Sequence, residues 1–339
     1  MGVLVEAIES GPPGPTPILT VFACPKPFVD THISRIQRNA IRSWAQLGTG
    51  VEVLVLGEED GTSETARALG VRHLGPVERN PDGTPLLSSI FSLAREASVS
   101  PLLCYVNADI LLLGDLLPAV RKVSSEVSEF LVVGQRSDLE VTEELSFGPG
   151  WENALRDRVR AQGRPHPPAG SDFFVFPETC FEAIPPFALG RASWDNWMIY
   201  FARRKGWTVV DVTPSVTIIH QNHTYNHLPG GRPHYRLPES QTNLRLAGGR
   251  RRVFTLRDAN RILVDGRLKK LRMTRHRFLR ELEILPLIVL GSSMLAEMAF
   301  LLAHPKRGWI EWRSRLHLHL RQMFNAPATS KGDPRSGQG

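Results

Sequence analysis

Asp109 is the carboxylate in this chain best placed to do chemistry. It sits in the run Cys104-Tyr105-Val106-Asn107-Ala108-Asp109-Ile110-Leu111-Leu112-Leu113, a short polar break between two apolar stretches. The segment from Pro101 to Val106 has the length and composition of a buried strand. An ionised carboxylate at such a strand end needs a cation, a hydrogen-bond donor or water. Ligands of open α/β sheets gather outside the carboxyl ends of strands. Hard divalent ions prefer oxygen donors, so Asp109 is placed to hold Mg²⁺ or Mn²⁺ against a diphosphate. The local alternative is an Asp that caps the next turn.

Other groups with chemical potential lie further along. His220, His223 and His227 crowd one polar run behind an apolar segment, Val216 to Ile219. Asp195 opens a helix-like stretch, where a carboxylate would also satisfy free N–H groups and the helix dipole. Cys24, Cys104 and Cys180 lie in apolar segments without metal-like spacing, which reads as buried, reduced thiols in a cytosolic compartment.

The elements that must position these groups follow a strand–helix rhythm. Ile18 to Ala23 reads as a strand closed by Cys24-Pro25-Lys26-Pro27, and Asp30 to Leu47 as a helix with apolar residues at helical spacing. Strands follow at Val51–Leu56 and Val71–Leu74, with a short helix from Ser63 to Leu69 between them. A helix over Pro85–Ala97 leads into the strand before Asp109. Beyond it the sequence predicts a helix over Asp115–Val127, a strand over Glu129–Gly134 and a helix over Trp151–Gln162. A Pro-rich loop over Gly163–Gly170, a strand over Phe173–Phe176 and a helix over Trp194–Lys205 come next. Thr208–Val212 and Val216–Ile219 read as strands, and Val253–Arg267 as a hairpin turning at Asp265-Gly266. Alternation of this kind implies a mostly parallel sheet with helices on both faces.

The composition, 42% apolar and 22% charged, excludes wholesale disorder. Residues 1–16 read as a flexible leader without the basic start and apolar core of a secretory signal, 17–272 as the main domain, 273–325 as a helical extension, and 326–339 as a disordered tail. The net charge of +7 is local: residues 245–280 carry thirteen Lys and Arg against Asp258 and Asp265. Such a patch suits an anionic membrane or a phosphorylated substrate, and no nucleic-acid recognition module accompanies it. Ile284 to Ala303 is one long apolar segment, interrupted by Pro286, Gly291 and Glu297. An aromatic and basic amphipathic stretch, Trp309 to Arg321, follows it. These segments admit three readings: helices packed on the sheet, attachment to a membrane surface through residues 245–321, or a span. A cytoplasmic location is the expectation, with peripheral attachment to the inner face of the membrane as the alternative these segments raise.

Several motifs together resemble nucleotide-sugar-dependent glycosyltransferases of the GT-A fold. They are Thr84-Pro85-Leu86-Leu87, Tyr105-Val106-Asn107-Ala108-Asp109, Gly170-Ser171-Asp172-Phe173-Phe174-Val175-Phe176, Gly190-Arg191-Ala192-Ser193-Trp194-Asp195-Asn196-Trp197 and Ile219-His220-Gln221-Asn222-His223. The resemblance runs from about Ile18 to Leu271. It implies a Rossmann-like, mostly parallel mixed sheet and transfer of a sugar from a nucleoside-diphosphate sugar to a hydroxyl of a glycan or lipid-linked acceptor, with Mn²⁺ or Mg²⁺ as cofactor. In the family's D-x-D-type motif the first carboxylate is here an amide, Asn107, while Asp109 keeps the metal-ligand position. The resemblance gives His220, following its strand, as a second ligand, with His223 and His227 as alternatives on the same loop. Imidazole favours manganese over magnesium. It gives Asp195 as the base that deprotonates the acceptor in an inverting transfer, in preference to Asp172. Glu59, Arg79, Thr84, Leu87 and Asn107 then line the donor side. Asp172, Trp194, Asn196 and Asn222 contact acceptor or sugar, with the rings of Trp194 and Trp197 as flat platforms.

Two other readings share these residues. A nucleotidyltransferase that makes activated sugars would carry a glycine-rich loop after its first strand, and Cys24-Pro25-Lys26-Pro27 has no glycine. A non-catalytic glycan- or lipid-binding protein on the same scaffold is the reading suggested by the missing first carboxylate.

Overall fold

The computed structural model describes residues 16–223, 237–311 and 313. The chain divides into two compact units, Met1–Arg272 and Met273–Gly339. In the first, β1 (Leu19–Ala23), α1 (Thr31–Ala45), β2 (Val51–Leu56), α2 (Thr62–Ala68), β3 (Arg72–Leu74) and α3 (Leu87–Ala97) lead to β4 (Leu102–Val106). Then come β5 (Ile110–Leu112), α4 (Leu116–Glu126), β6 (Phe130–Val133), β7 (Ser137–Leu139), α5 (Trp151–Gln162) and β8 (Arg164–Pro165). The unit closes with β9 (Phe173–Pro177), α6 (Trp194–Arg204), β10 (Thr208–Asp211), β11 (Ile218–Gln221), α7 (Pro238–Leu246), β12 (Arg261–Val264) and β13 (Arg267–Lys270).

Nine strands form the main sheet in the order β13-β12-β10-β6-β9-β4-β1-β2-β3. All neighbours are parallel except where β9 lies between β4 and β6 and where β13 pairs with β12. This is the expected mostly parallel, mixed sheet, and its central strands β4, β6 and β9 are apolar on both faces because helices cover both, whereas the edge strands β3 and β13 are polar and partly exposed. Leu102, Cys104 and Val106 of β4 join an aliphatic layer with Ile41 and Trp44 of α1 and Val120 of α4. Its alternate residue Tyr105 packs on the other face among Phe22, Phe91 of α3 and Trp194 of α6. Helix α1 starts where Asp30 accepts the Ile33 N–H at 2.8 Å, a side-chain N-cap.

A second, four-stranded sheet, β5-β11-β7-β8, was not anticipated from the sequence. Its strands are two to four residues long, too short to carry a visible alternation. Two corrections follow. The strand expected at Val216–Ile219 lies at Ile218–Gln221, so His220 sits within it. The expected Pro-rich loop contains β8. Helix α7 was also missed, because Pro238–Leu246 has no strong apolar period.

The described part of the second unit holds α8 (Arg275–Leu285), a π-helical turn at Pro286–Leu290 and α9 (Ser293–Ala303). Pro286 and Gly291, the latter at φ +66°, divide the apolar segment between them. No helix among the described residues is long and apolar enough to cross a membrane, so of the three readings of 284–303 the span finds no support there. Most of the amphipathic stretch from Trp309 to Arg321, and His227, lie outside the described residues.

Candidate active site

A cleft of about 710 Å³ opens over the carboxyl ends of β1, β2 and β4 and the start of the antiparallel β9. Strand β4 ends at Val106, and Ile110 N–H donates to the Asn107 carbonyl at 3.1 Å, turning the chain into β5. That turn presents Asp109. Strand β11 then opposes His220 to Ile110 on one side and to Asp138 of β7 on the other.

Asp109, His220 and His223 bring one ligand atom each to within 4.8 Å of one another. His223 Nε2 is 3.0 Å from Asp109 Oδ2, and His220 Nε2 is 3.8 Å from the same oxygen. Asp109 Oδ1 is buried with no hydrogen-bond partner. A buried carboxylate oxygen left in this state costs free energy unless a ligand meets it. Burial alone would raise the Asp109 carboxyl; the His223 hydrogen bond and the charges of His220, His223 and Lys26 overcome it and hold the group below the usual carboxylate range. Two imidazole nitrogens and one carboxylate fit a divalent ion of borderline softness, and suit Mn²⁺ better than Mg²⁺.

Asn107 is engaged at both ends of its amide. Its Oδ1 accepts from the Tyr105 hydroxyl at 2.9 Å and its Nδ2 donates to Asp172 Oδ1 at 2.7 Å. Asp172 is also met by Arg136, whose Nη1 lies 2.6 Å from Oδ2. Asp172 is thus an ion-paired, hydrogen-bonded carboxylate, and the amide at position 107 is what lets it approach so closely.

Asp195 is different. It lies in the first turn of α6, which starts at Ser193, a non-glycine residue in the left-handed region at φ 87°. Burial pushes the Asp195 carboxyl up to about 7; backbone N–H groups of Asn196 and Ser171 oppose the rise and the nearby Asp172 charge adds to it. Such a group is an effective proton acceptor near neutral pH.

Glu59, in the loop after β2, lines the cleft and pairs with Arg79 at 2.7 Å. Gly57, at the head of this loop, takes φ +106°, a left-handed backbone that favours glycine. Thr84 also lines the cleft, and Arg79 reaches it only through Glu59. Leu87 does not: it is fully buried at the start of α3. Trp194 lines the cleft, and its ring packs on Tyr105 and Phe174. Trp197 stacks on Phe201 in the core, so it offers no face to a sugar. Asn196 is buried and spans the carbonyls of Ala169 and Phe254. Asn222 lies outside the cleft lining, its carbonyl facing the His32 ring at 3.0 Å.

Sequence reasoning missed Lys26, Arg136 and Arg191, which also line the cleft. Lys26 follows β1 between two prolines; burial lowers its ammonium, against the attraction of Asp109. Arg191 pairs with Glu239 of α7 at 2.5 Å. For Arg136 the sequence offers only a charge two residues from Asp138, just ahead of β7, in a run with no apolar pattern to mark it as part of a site.

No family model matches the chain, and no curated protein matches it. Among solved structures it is similar to glucosyl-3-phosphoglycerate synthase from Mycobacterium tuberculosis. With the form bound to Mg²⁺ and uridine diphosphate it shares 16% identity over 69% of this chain and 80% of that one, at a TM-score of 0.42. With the form bound to Mn²⁺, uridine-diphosphate-glucose and phosphoglyceric acid it shares 16% identity over 69% and 81%, at 0.41. Both are distant likenesses.

Proposed function

We propose that this protein is a divalent-metal-dependent glycosyltransferase that moves a sugar from a nucleoside-diphosphate sugar to an acceptor hydroxyl with inversion. The observation that carries this reading is the cluster of Asp109, His220 and His223 in the same cleft as Asp195, a carboxyl poised near neutrality. Asp109, His220 and His223 would hold the ion, which when bound supplies charge stabilisation to a departing diphosphate. Lys26 adds a positive charge in the cleft, beside Asp109. Glu59 accepts hydrogen bonds from the nucleoside. Asp195 takes the acceptor proton as the hydroxyl attacks the anomeric carbon, while Asp172, held by Arg136 and Asn107, orients the acceptor. The test is a panel of sugar nucleotides with Mn²⁺ and candidate acceptors, with the product anomer read by NMR. Release of nucleoside diphosphate with an inverted anomer supports the reading; retention removes Asp195 from the base role, and no turnover of any donor removes the enzyme reading.

The second unit supports a site of action at an anionic membrane. Phe278, Leu282, Leu285, Val289, Met294, Met298 and Leu302 are exposed, and α8, which carries the first three, also carries Arg275 together with Arg277 and Arg280, which pair with Glu281 and Glu283. Apolar side chains flanked by cations match the interface of an acidic bilayer. The full chain should co-sediment with phosphatidylserine vesicles and not with neutral ones; R275E/R277E/R280E should abolish this. Equal sedimentation with both vesicle types refutes it.

A further inference from the structure

His220 is almost fully enclosed, and its ring lies between two carboxylates. Nε2 faces Asp109 Oδ2 at 3.8 Å and Nδ1 faces Asp138 Oδ1 at 3.2 Å. Asp138 is itself held from three sides. Its Oδ1 accepts from Arg136 Nε at 3.0 Å, its Oδ2 is 2.8 Å from His166 Nδ1, and its backbone pairs with Arg164 of β8 and His220 of β11. The His166 backbone N–H in turn donates to the Arg136 carbonyl at 2.9 Å. Arg136 extends the network, because its Nη1 meets Asp172.

From this geometry we infer that Asp138 is a positioning residue for the metal centre, holding His220 in the tautomer and ring orientation that leave Nε2 bare toward Asp109. The inference rests on the reading of Asp109, His220 and His223 as metal ligands. An imidazole binds a metal only through an unprotonated nitrogen, so the proton must be kept on the other one. A carboxylate beside Nδ1 draws the proton there. The parallel register of β7 and β11 explains why Asp138 serves: partnered residues on neighbouring strands project to the same side of the sheet. Arg136 keeps Asp138 from rotating away and links it to Asp172, so one short strand sets two groups of the cleft. A strand of three residues does not need a carboxylate for its own stability. Its two polar side-chain partners, Arg136 and His166, and its contact with the ring of a ligand assign Asp138 to the site.

The experiment is Mn²⁺ titration followed by electron paramagnetic resonance on the full-length protein, comparing wild type, Asp109→Ala, Asp138→Ala and Asp138→Asn. Wild type should bind and Asp109→Ala should not. Asp138→Ala should bind about 10- to 100-fold more weakly, the range for losing an outer-shell partner. Asp138→Asn should lose less, since its amide oxygen still accepts from Nδ1–H. Nitrogen-15 shifts of His220 in metal-free protein should show one Nδ1–H tautomer in wild type and a mixture in Asp138→Ala. Wild-type affinity and an unchanged tautomer in a folded Asp138 variant overturn the inference and leave the metal site standing. If Asp138→Ala does not fold, Asp138→Leu, which also lacks an acceptor for Nδ1–H, decides by the same two readouts. Absence of Mn²⁺ binding by wild type overturns the metal site and this role with it.

Discussion

Replacing Asp195 by Asn should make the protein more stable and nearly inactive, and both effects can be worked from one cause. Burial raises the Asp195 carboxyl to about 7 in the folded state, whereas an unfolded Asp titrates near about 3.9. Between those values the folded chain keeps its proton and the unfolded chain loses it. Stability therefore falls as pH rises through that window and levels off above it. The full span is worth about 4 kcal/mol; solvent in the open cleft reduces this to on the order of 2–4 kcal/mol. An Asn is neutral, nearly isosteric and able to accept the Ser171 and Asn196 N–H groups, so it escapes the loss.

Urea denaturation of wild type and Asp195→Asn from pH 4 to pH 8 measures this directly. The two proteins should be similar at pH 4, and the variant should gain steadily until about pH 7. In the same series the wild-type transfer rate should rise with pH and flatten above about 7, while the variant should lose about 10²- to 10⁴-fold, the usual contribution of a general base. Parallel stability curves would refute the desolvation argument. Retained activity, with or without the stability gain, would refute the catalytic one.

Further predictions follow from neighbouring contacts. Ser193→Gly removes a strained left-handed backbone and should raise stability by about 0.5–1 kcal/mol in thermal melts with activity kept, whereas Ser193→Val should lower it. Asn107→Asp, which restores a carboxylate at the first motif position, would set two acids 2.7 Å apart against Asp172; we expect loss of stability above about pH 6 rather than tighter Mn²⁺ binding. Lys26→Ala should raise KM for the sugar nucleotide about 10-fold or more, with the fold unchanged by circular dichroism, because a charged donor to phosphate is lost.

Much of the frame was legible because burial writes itself into composition. The strands β4, β6 and β9 are continuous apolar runs, β1 and β2 are apolar runs broken only by Thr20 and Glu52, and all five fall within a residue of where the pattern put them. Asp109 was legible for the same reason: a lone carboxylate between apolar stretches must be desolvated, and a desolvated charge needs a partner. Leu87 misled, since a leucine in a Thr-Pro-Leu-Leu run reads as groove lining until α3 turns it into the core.

Asp138 was hidden by the opposite circumstance. It stands in Gln135-Arg136-Ser137-Asp138, a run that reads as solvated surface. Only the arrival of β11, far along the chain, covers it and brings His220 to 3.2 Å. The small sheet owes its existence to these long-range pairings rather than to strand propensity, because segments of two to four residues carry too little pattern to announce themselves. Chemistry that depends on such pairings is set by register. A shift of one residue in β11 would replace His220 opposite Asp138 by Ile219 or Gln221, and the imidazole would leave the cleft. The apolar Ile219, buried beside Leu111 and Leu139, resists that shift, so the same strand that carries the ligand also fixes its position.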